Sequence, residues 1–285
     1  PRYGALTPNA SSDYWYEPLG TVSASGLRVD ESTAMRISTF WRCVTVLSDA
    51  VGMLPLHVYR RLSGGGKARA WDLPAYRLLH DRPNRFQTPV EFKVEQMQYL
   101  LIGGNAMALK RTGVTGEVEE ILPLSPSRTR IETLPDRSLR YRYQEANNTE
   151  TVFTEDRIWH LKRWARNGIG LSVLSHARDS LGLTMALEGH ANATFKQGAR
   201  PGAVIEHPGK LGGAAMKEWL AKWNMAHQGV ANAGKTSILD EGAKLHTVGM
   251  NNEDAQLLSS RQFQRQDVAS WFGIIPMLLG ILDKD

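Results

Sequence analysis

The chain has 285 residues, 42% of them hydrophobic, with 34 basic and 29 acidic side chains for a formal net charge of +5. That is enough for a sizeable core and for two domains, and the basic excess is too thin for a protein that grips DNA chiefly by neutralising phosphates. One cysteine excludes an internal disulfide, and no run approaches the roughly 20 apolar residues that span a bilayer.

Residues 1–30 are polar and rich in Gly, Ser and Pro, and read as a flexible N-terminal arm. The missing initiator Met, and an end at Asp285 soon after an apolar run, are expected to reflect trimming of both ends. Asp30 to Met53 carries Ile37, Phe40, Val44, Leu47 and Val51 at helical spacing, with Trp41 and Val46 widening the apolar face. The pattern predicts a core helix, and it places Cys43 in apolar surroundings as an inert thiol. Leu54 to Leu62 reads as a strand that turns at Gly64-Gly65-Gly66. Leu73 to His80 reads as a short helix stopped by Pro83-Asn84. Thr88, Pro89 and Glu91 then form a capping box that opens another helix, ended by Gly103-Gly104.

From Asn105 the pattern shifts to short strands: Ala106 to Arg111, Val118 to Leu122, Arg128 to Glu132, Leu139 to Tyr143 and Ile158 to Trp164. Residues 31–171 are therefore expected to form an α+β domain with one sheet. They carry the basic excess, since residues 1–171 hold 23 basic and 18 acidic residues and 172–285 hold 11 of each. Arg157, Lys162, Arg163 and Arg166 interleave with Trp159, His160 and Trp164, an arrangement that can stack bases and hold phosphates. A strand with alternate residues buried and its cations in water is the simpler reading.

Two long helices follow, with a small unit between them. Ser172 to Gln197 has Val173, Leu174, Ala177, Leu181, Met185, Ala191 and Phe195 near one face, a helix about 39 Å long. The second runs from Asn252 as N-cap, through Glu253 and Asp254, to a stop at Gly273. Its middle, Ser259 to Asp267, is polar on nearly every face except at Phe263, so it is expected to face water or a neighbouring subunit. Between the two, Ala203 to His207 reads as a strand, Ala214 to Ala226 as an amphipathic helix, and Thr236 to Leu239 with Leu245 to Val248 as a hairpin.

Gly229-Val230-Ala231-Asn232-Ala233-Gly234-Lys235-Thr236 matches the phosphate-binding pattern G-x-x-x-x-G-K-T. That loop needs a strand entering and a helix leaving, so that N–H groups and the helix dipole converge on phosphate. Here a helix enters and a strand-like stretch leaves, which argues for a solvent loop. A nucleotide-binding enzyme and a monomeric nucleic-acid-binding protein stay as rival classes. No His/Cys cluster has metal-ligand spacing and no nucleophile elbow is present, so neither cofactor, metal nor catalytic residue is expected.

Several stretches occur together and in order: Arg36-Ile37-Ser38 through Leu54-Pro55-Leu56-His57-Val58-Tyr59-Arg60, Leu78-Leu79 with Arg82-Pro83-Asn84 and Phe92, and Gly103-Gly104-Asn105-Ala106. Leu122-Pro123-Leu124 with Pro126, Ile158-Trp159-His160-Leu161 and Gly168-Ile169-Gly170-Leu171-Ser172 come next. Asp254-Ala255-Gln256, Arg261, Phe263 and Phe272-Gly273-Ile274 through Pro276, Leu278 and Leu279-Gly280 close the series. Together they resemble the portal proteins, or head-tail connectors, of tailed bacteriophages, cut short at the C-terminus.

The resemblance implies an α+β portal fold, with mixed or antiparallel sheet and helices in a wing at 31–171. It further implies stem helices at 172–198 and 251–273, a small α/β clip at 199–250 between them, and the start of a tunnel loop and crown at 274–285. It implies a non-enzymatic ring, typically of twelve subunits, at the portal vertex of the virion, assembled in the bacterial cytoplasm. Double-stranded DNA passes through such a ring without sequence specificity. The implied partners are the terminase large subunit, the head-tail adaptor and the capsid or scaffold protein, with no membrane. Lys196, Arg200, Arg261 and Arg265 are the nearest basic candidates for a channel wall.

Overall fold

The computed structural model describes residues 21–196, 203–206, 212–227, 244–247 and 253–281. The chain divides into two compact units, one of residues up to Gly182 with those from Asp267 onward, the other Leu183–Gln266.

The first unit starts with a small antiparallel pair, β1 (Thr21–Val22) and β2 (Arg28–Val29). Val29 is buried and the Ala24 N–H donates to Asp179 at 2.9 Å, so residues 21–30 of the expected arm are built into the fold. The expected first helix is two. Asp30 caps α1 (Glu31–Ala34) by a reciprocal box with Thr33, and the chain opens at Ile37, whose extended backbone drops that side chain into the core before α2 (Ser38–Gly52) begins. On α2, Phe40, Cys43 and Val44 are buried as expected, whereas Trp41 is 52% exposed.

The strand expected over Leu54 to Leu62 shortens to β3 (Tyr59–Arg61), which pairs with β4 (Lys67–Arg69) across the glycine turn. A short helix, α3 (Pro74–Tyr76), runs on into a wider turn at Arg77–Asp81. Helix α4 (Pro89–Gly103) carries the expected capping box: the Thr88 N–H donates to the Glu91 carboxylate at 2.7 Å, and the Thr88 hydroxyl accepts the Glu91 N–H at 3.3 Å.

Two three-stranded antiparallel sheets follow where one was expected. In the first, β5 (Asn105–Thr112) lies between β6 (Val118–Leu124) and β10 (Ile158–Lys162). In the second, β7 (Thr129–Thr133), β8 (Leu139–Gln144) and β9 (Glu150–Thr154) form a meander. Between them the chain passes through a 3-10 turn at Pro126–Arg128, where Pro126 supplies a φ suited to the first position. Strand β9 was missed because it is short, rich in Thr and half exposed, with little apolar alternation. Met107, Leu124, Ile131, Leu139, Tyr141, Ile158 and Ile169 form one core cluster against which residues of both sheets pack.

The first long helix is interrupted. Ser172 caps α5 (Val173–His176), Ala177 leaves helical geometry, and α6 (Arg178–Lys196) follows. In the second unit β11 (Ala203–Glu206) pairs antiparallel with β12 (Lys244–Thr247), and α7 (Gly213–His227) lies between them in sequence. The partner of the Leu245 stretch is thus the Ala203 strand; Thr236 to Leu239 lies outside the described residues. Helix α8 (Glu253–Phe272) stops at Gly273, whose φ of 68° allows the left-handed exit, as expected. Its expected cap, Asn252, lies outside the described residues.

Candidate functional site

The polar helix α8 has a narrow buried stripe of Gln264, Val268, Ala269 and Phe272, at helical spacing. Phe263, the one apolar residue in the polar middle of the helix, is 63% exposed, whereas the neighbouring Gln264 is buried. Burial of that amide is compensated in the second unit, where the Thr184 hydroxyl donates to Gln264 Oε1 at 3.2 Å. In the first unit the Ser180 hydroxyl donates to the Asp267 carboxylate, and the Phe272 ring meets Phe40 edge-on at 5.1 Å. Each unit therefore ties its own part of α6 to its own part of α8 through a polar contact. Such contacts fix register more than they add stability.

Of the four candidate wall cations, Lys196 is exposed at the end of α6, Arg265 is exposed on α8, and Arg261 is half-buried one turn before it. The i, i+4 spacing brings Arg261 and Arg265 to one helix face; Lys196 belongs to the other helix, and Arg200 lies outside the described residues.

Three of the sequence stretches singled out above meet where the first long helix begins. Asn105, 2% exposed, donates through Nδ2 to the carbonyls of Gly170 at 2.9 Å and Gly103 at 3.1 Å. The Gly170 N–H donates to Asn105 Oδ1 at 2.7 Å, which fixes the orientation of the amide because an N–H can only donate. His160 Nε2 lies 2.9 Å from the same oxygen and Nδ1 lies 3.0 Å from the Tyr141 hydroxyl. Nε2 must therefore carry the proton, leaving Nδ1 to accept from Tyr141.

The backbone completes the junction. Arg163 N–H donates to Gly104 O and Leu171 N–H to Arg163 O, both at 2.9 Å. The Ser172 hydroxyl donates to Ile102 O at 3.0 Å while accepting the Ser175 N–H at 3.2 Å. Arg163, Gly170 and Ser172 are thereby tied to the end of α4 and the start of β5, and Leu171 is tied to Arg163. The sequence pattern marks Asn105 and His160 only as parts of two separate stretches and passes over Tyr141. No local signal pairs residues 55 and 65 positions apart.

Burial, reinforced by Lys162, pushes the His160 pKa down to about 3. The folded state thus binds its proton less readily than the unfolded chain, whose His titrates near 6.5. Stability from neutral His160 is complete above about pH 6.5 and is lost as pH falls toward 3. Denaturant unfolding is expected to lose up to about 1.4 kcal/mol per pH unit within that window on this account. His160→Gln, which keeps one donor and one acceptor but does not titrate, is expected to flatten the slope; an unchanged slope would remove His160 as its source.

The basic strand does not offer a row of stacking rings. Trp159 stacks on Phe92 with centroids 5.9 Å apart, His160 belongs to the junction, and Trp164 is covered by the Arg163 guanidinium at 4.4 Å. The strand also ends at Lys162, earlier than expected. Gly229–Thr236 lies outside the described residues; the element before it is the helix α7, as the sequence indicated. Cys43 is buried and its thiol is pushed up to about 12 by burial. Among the described residues no group of His, Cys, Asp and Glu could hold a metal ion, and no helix is long and apolar enough to cross a membrane.

The profile of the family described as "Phage portal protein" matches residues 38–285. The portal protein of Enterobacteria phage HK97 is 30% identical over 286 aligned positions, covering 98% of this chain and 66% of that protein. The chain thus spans just under two thirds of the length of that relative. A crystal structure of an HK97-family phage portal protein from Corynebacterium diphtheriae shares the fold, with a TM-score of 0.65 at 16% identity, covering 90% of this chain and 80% of the other. A chain in the neck of a native gene transfer agent particle, computed with C12 symmetry, has a TM-score of 0.60 at 20% identity, covering 99% and 77%.

Proposed function

The chain belongs to the phage portal protein family, and on that premise we propose that it forms the channel subunit of a ring at one vertex of a capsid. The symmetry of the particle neck that it resembles in fold favours twelve copies. Double-stranded DNA enters through the ring during packaging and leaves through it at ejection. Residues 31–171 act as the wing, 172–198 and 251–273 as the stem, 199–250 as the clip, and 274–285 open the tunnel loop. The clip meets the terminase large subunit first and the head-tail adaptor later, and the capsid or scaffold protein surrounds the wing. Assembly takes place in the bacterial cytoplasm, and the ring ends in the virion.

The observation that carries this reading is the family match across residues 38–285, which takes in both long helices and everything between them. Physical chemistry agrees with it. A closed ring is built from heterologous contacts, so each subunit needs two unlike surfaces, and helices that bury only a narrow stripe leave most of their circumference for neighbours or water. Lys196, Arg200, Arg261 and Arg265 act as wall cations. Their small number suits a channel, because each neutralised phosphate is a brake on sliding DNA. The chain itself is not an enzyme in this reading: nucleotide hydrolysis belongs to terminase, and Lys235 is a loop cation.

The test is the native mass of the natural reading frame, extended to its stop codon, at several concentrations. A discrete species of about a dozen subunits is expected. A strict monomer at every concentration would reduce the family relationship to fold alone.

A further inference from the structure

The hairpin of β3 and β4 has a face that the portal reading does not use. The register sets Tyr59 opposite Arg69 and Arg61 opposite Lys67, and all six strand residues are exposed. Side chains alternate across a strand, so Tyr59, Arg61, Lys67 and Arg69 share one face, and Trp71 continues its period of two. Arg60 lies on the other face, where it pairs with Asp72 at 2.7 Å. Among the described residues, none of Arg61, Lys67 and Arg69 has a carboxylate at ion-pair distance.

Like charges directly opposite one another weaken a hairpin. Here the Arg61–Lys67 pair sits beside a third cation, next to a turn of three glycines that adds no packing. Two rings hold the cations in place: the Lys67 ammonium lies 4.7 Å from the Tyr59 centroid and the Arg69 guanidinium 5.4 Å from that of Trp71. Trp71 is 62% exposed and Tyr59 44%. The same positive field helps burial to lower the pKa of His57 at the base of the hairpin, with Arg69 and His80 as its sources. Charge, exposure and alignment thus all describe a surface awaiting a polyanion.

We propose that this face binds the phosphate backbone of double-stranded DNA, through residues other than the candidate wall cations of the long helices. A duplex is favoured over a single strand because the two aromatic faces are already occupied by cations and are not free to stack bases. What remains to a ligand are N–H donors without sequence preference, which suit phosphates. The inference stands on the hairpin alone and does not need the ring.

The test uses the 285-residue chain and a short fluorescent duplex of mixed sequence, titrated by anisotropy over a range of salt concentrations. Arg61→Ala/Lys67→Ala/Arg69→Ala is expected to weaken binding at least tenfold at low salt and to lower the slope of log K against log salt by about 3, one for each phosphate no longer neutralised. The hairpin is exposed, so the circular dichroism spectrum should not change. A control triple, Arg130→Ala/Arg137→Ala/Arg157→Ala, removes the same charge from exposed positions elsewhere and should leave the slope in place. Equal weakening in both triples would reduce the effect to net charge and overturn the proposal. So would absence of binding by the unaltered chain, or a slope that falls only on Arg261→Ala/Arg265→Ala. If poly-glutamate competes at equal charge as well as the duplex does, the face belongs to an acidic protein and the DNA assignment is wrong.

Discussion

Gly104→Ala is expected to destabilise the first unit by about 4 kcal/mol, a large fraction of the stability of an ordinary domain. Gly104 sits in the left-handed region at φ 72°, where it caps α4 and hands the chain to β5. An L-residue there costs roughly 1–2 kcal/mol before any contact is considered. The larger part is steric. A Cβ at this position would overlap the carbonyl of Leu171, and that of Gly170 faces it too. These are backbone atoms, held by the bonds from Arg163 to Gly104 and from Leu171 to Arg163, so no side-chain rotation relieves the overlap. The chain must move apart just where it enters α5. Urea unfolding at neutral pH measures the loss; a change below about 1 kcal/mol would mean that the junction is looser than its geometry. Gly116, also at positive φ but with open space around it, is the control, and its alanine variant should lose only the conformational part.

Asn105→Ala is expected to cost about 3–5 kcal/mol, because one side chain satisfies two carbonyls, one N–H and the His160 ring. Removing it strands the Gly170 N–H and carbonyl in a buried site that water does not readily enter. Asn105→Asp separates the contributions. The carboxylate still accepts from Gly170 and His160 but cannot donate to Gly170 and Gly103, so part of the loss remains. A carboxylate beside Nε2 also favours protonated His160 and raises its pKa. The fall in stability between pH 6.5 and 3 should therefore shrink in Asn105→Asp relative to the unaltered chain. Retention of the full slope would show that Oδ1 does not face the imidazole.

In the proposed ring both substitutions act at the start of the first long helix, not on its surface. The full reading frame is expected to give less of the proposed ring at a given protein concentration, with the candidate wall cations untouched. Substituting exposed Arg265, by contrast, should leave folding unchanged.

What could be read from the sequence was local. The capping box at Thr88 and Glu91, the glycine stop after α4, the hairpin turn at Gly64–Gly66 and the end of α8 at Gly273 each depend on a few adjacent residues and on backbone preferences that act within a turn. Periodicity likewise located the long helices and buried Cys43. It did not say where they break: Ile37 and Ala177 interrupt helices at buried positions, and neither is a strong breaker. It also placed Trp41 on the apolar face, since a period identifies a face but not which part of that face another element covers. The division of the strands into two sheets falls at a short turn, Pro126–Arg128, that periodicity does not mark, and β9 carried almost no signal. The junction was the least legible, because Asn105, Tyr141, His160 and Gly170 acquire their roles only from one another. A polar residue next to two glycines reads as a turn; a buried amide that closes four hydrogen bonds across three elements exists only once the chain has folded. The sequence by itself determined most of the elements, the Thr88 cap, the glycine stops and the family. Tertiary structure alone decided how the start of the first long helix is held and which cations stand unpaired on the hairpin, because hydrogen bonding and burial are properties of neighbours in space, not of order along the chain.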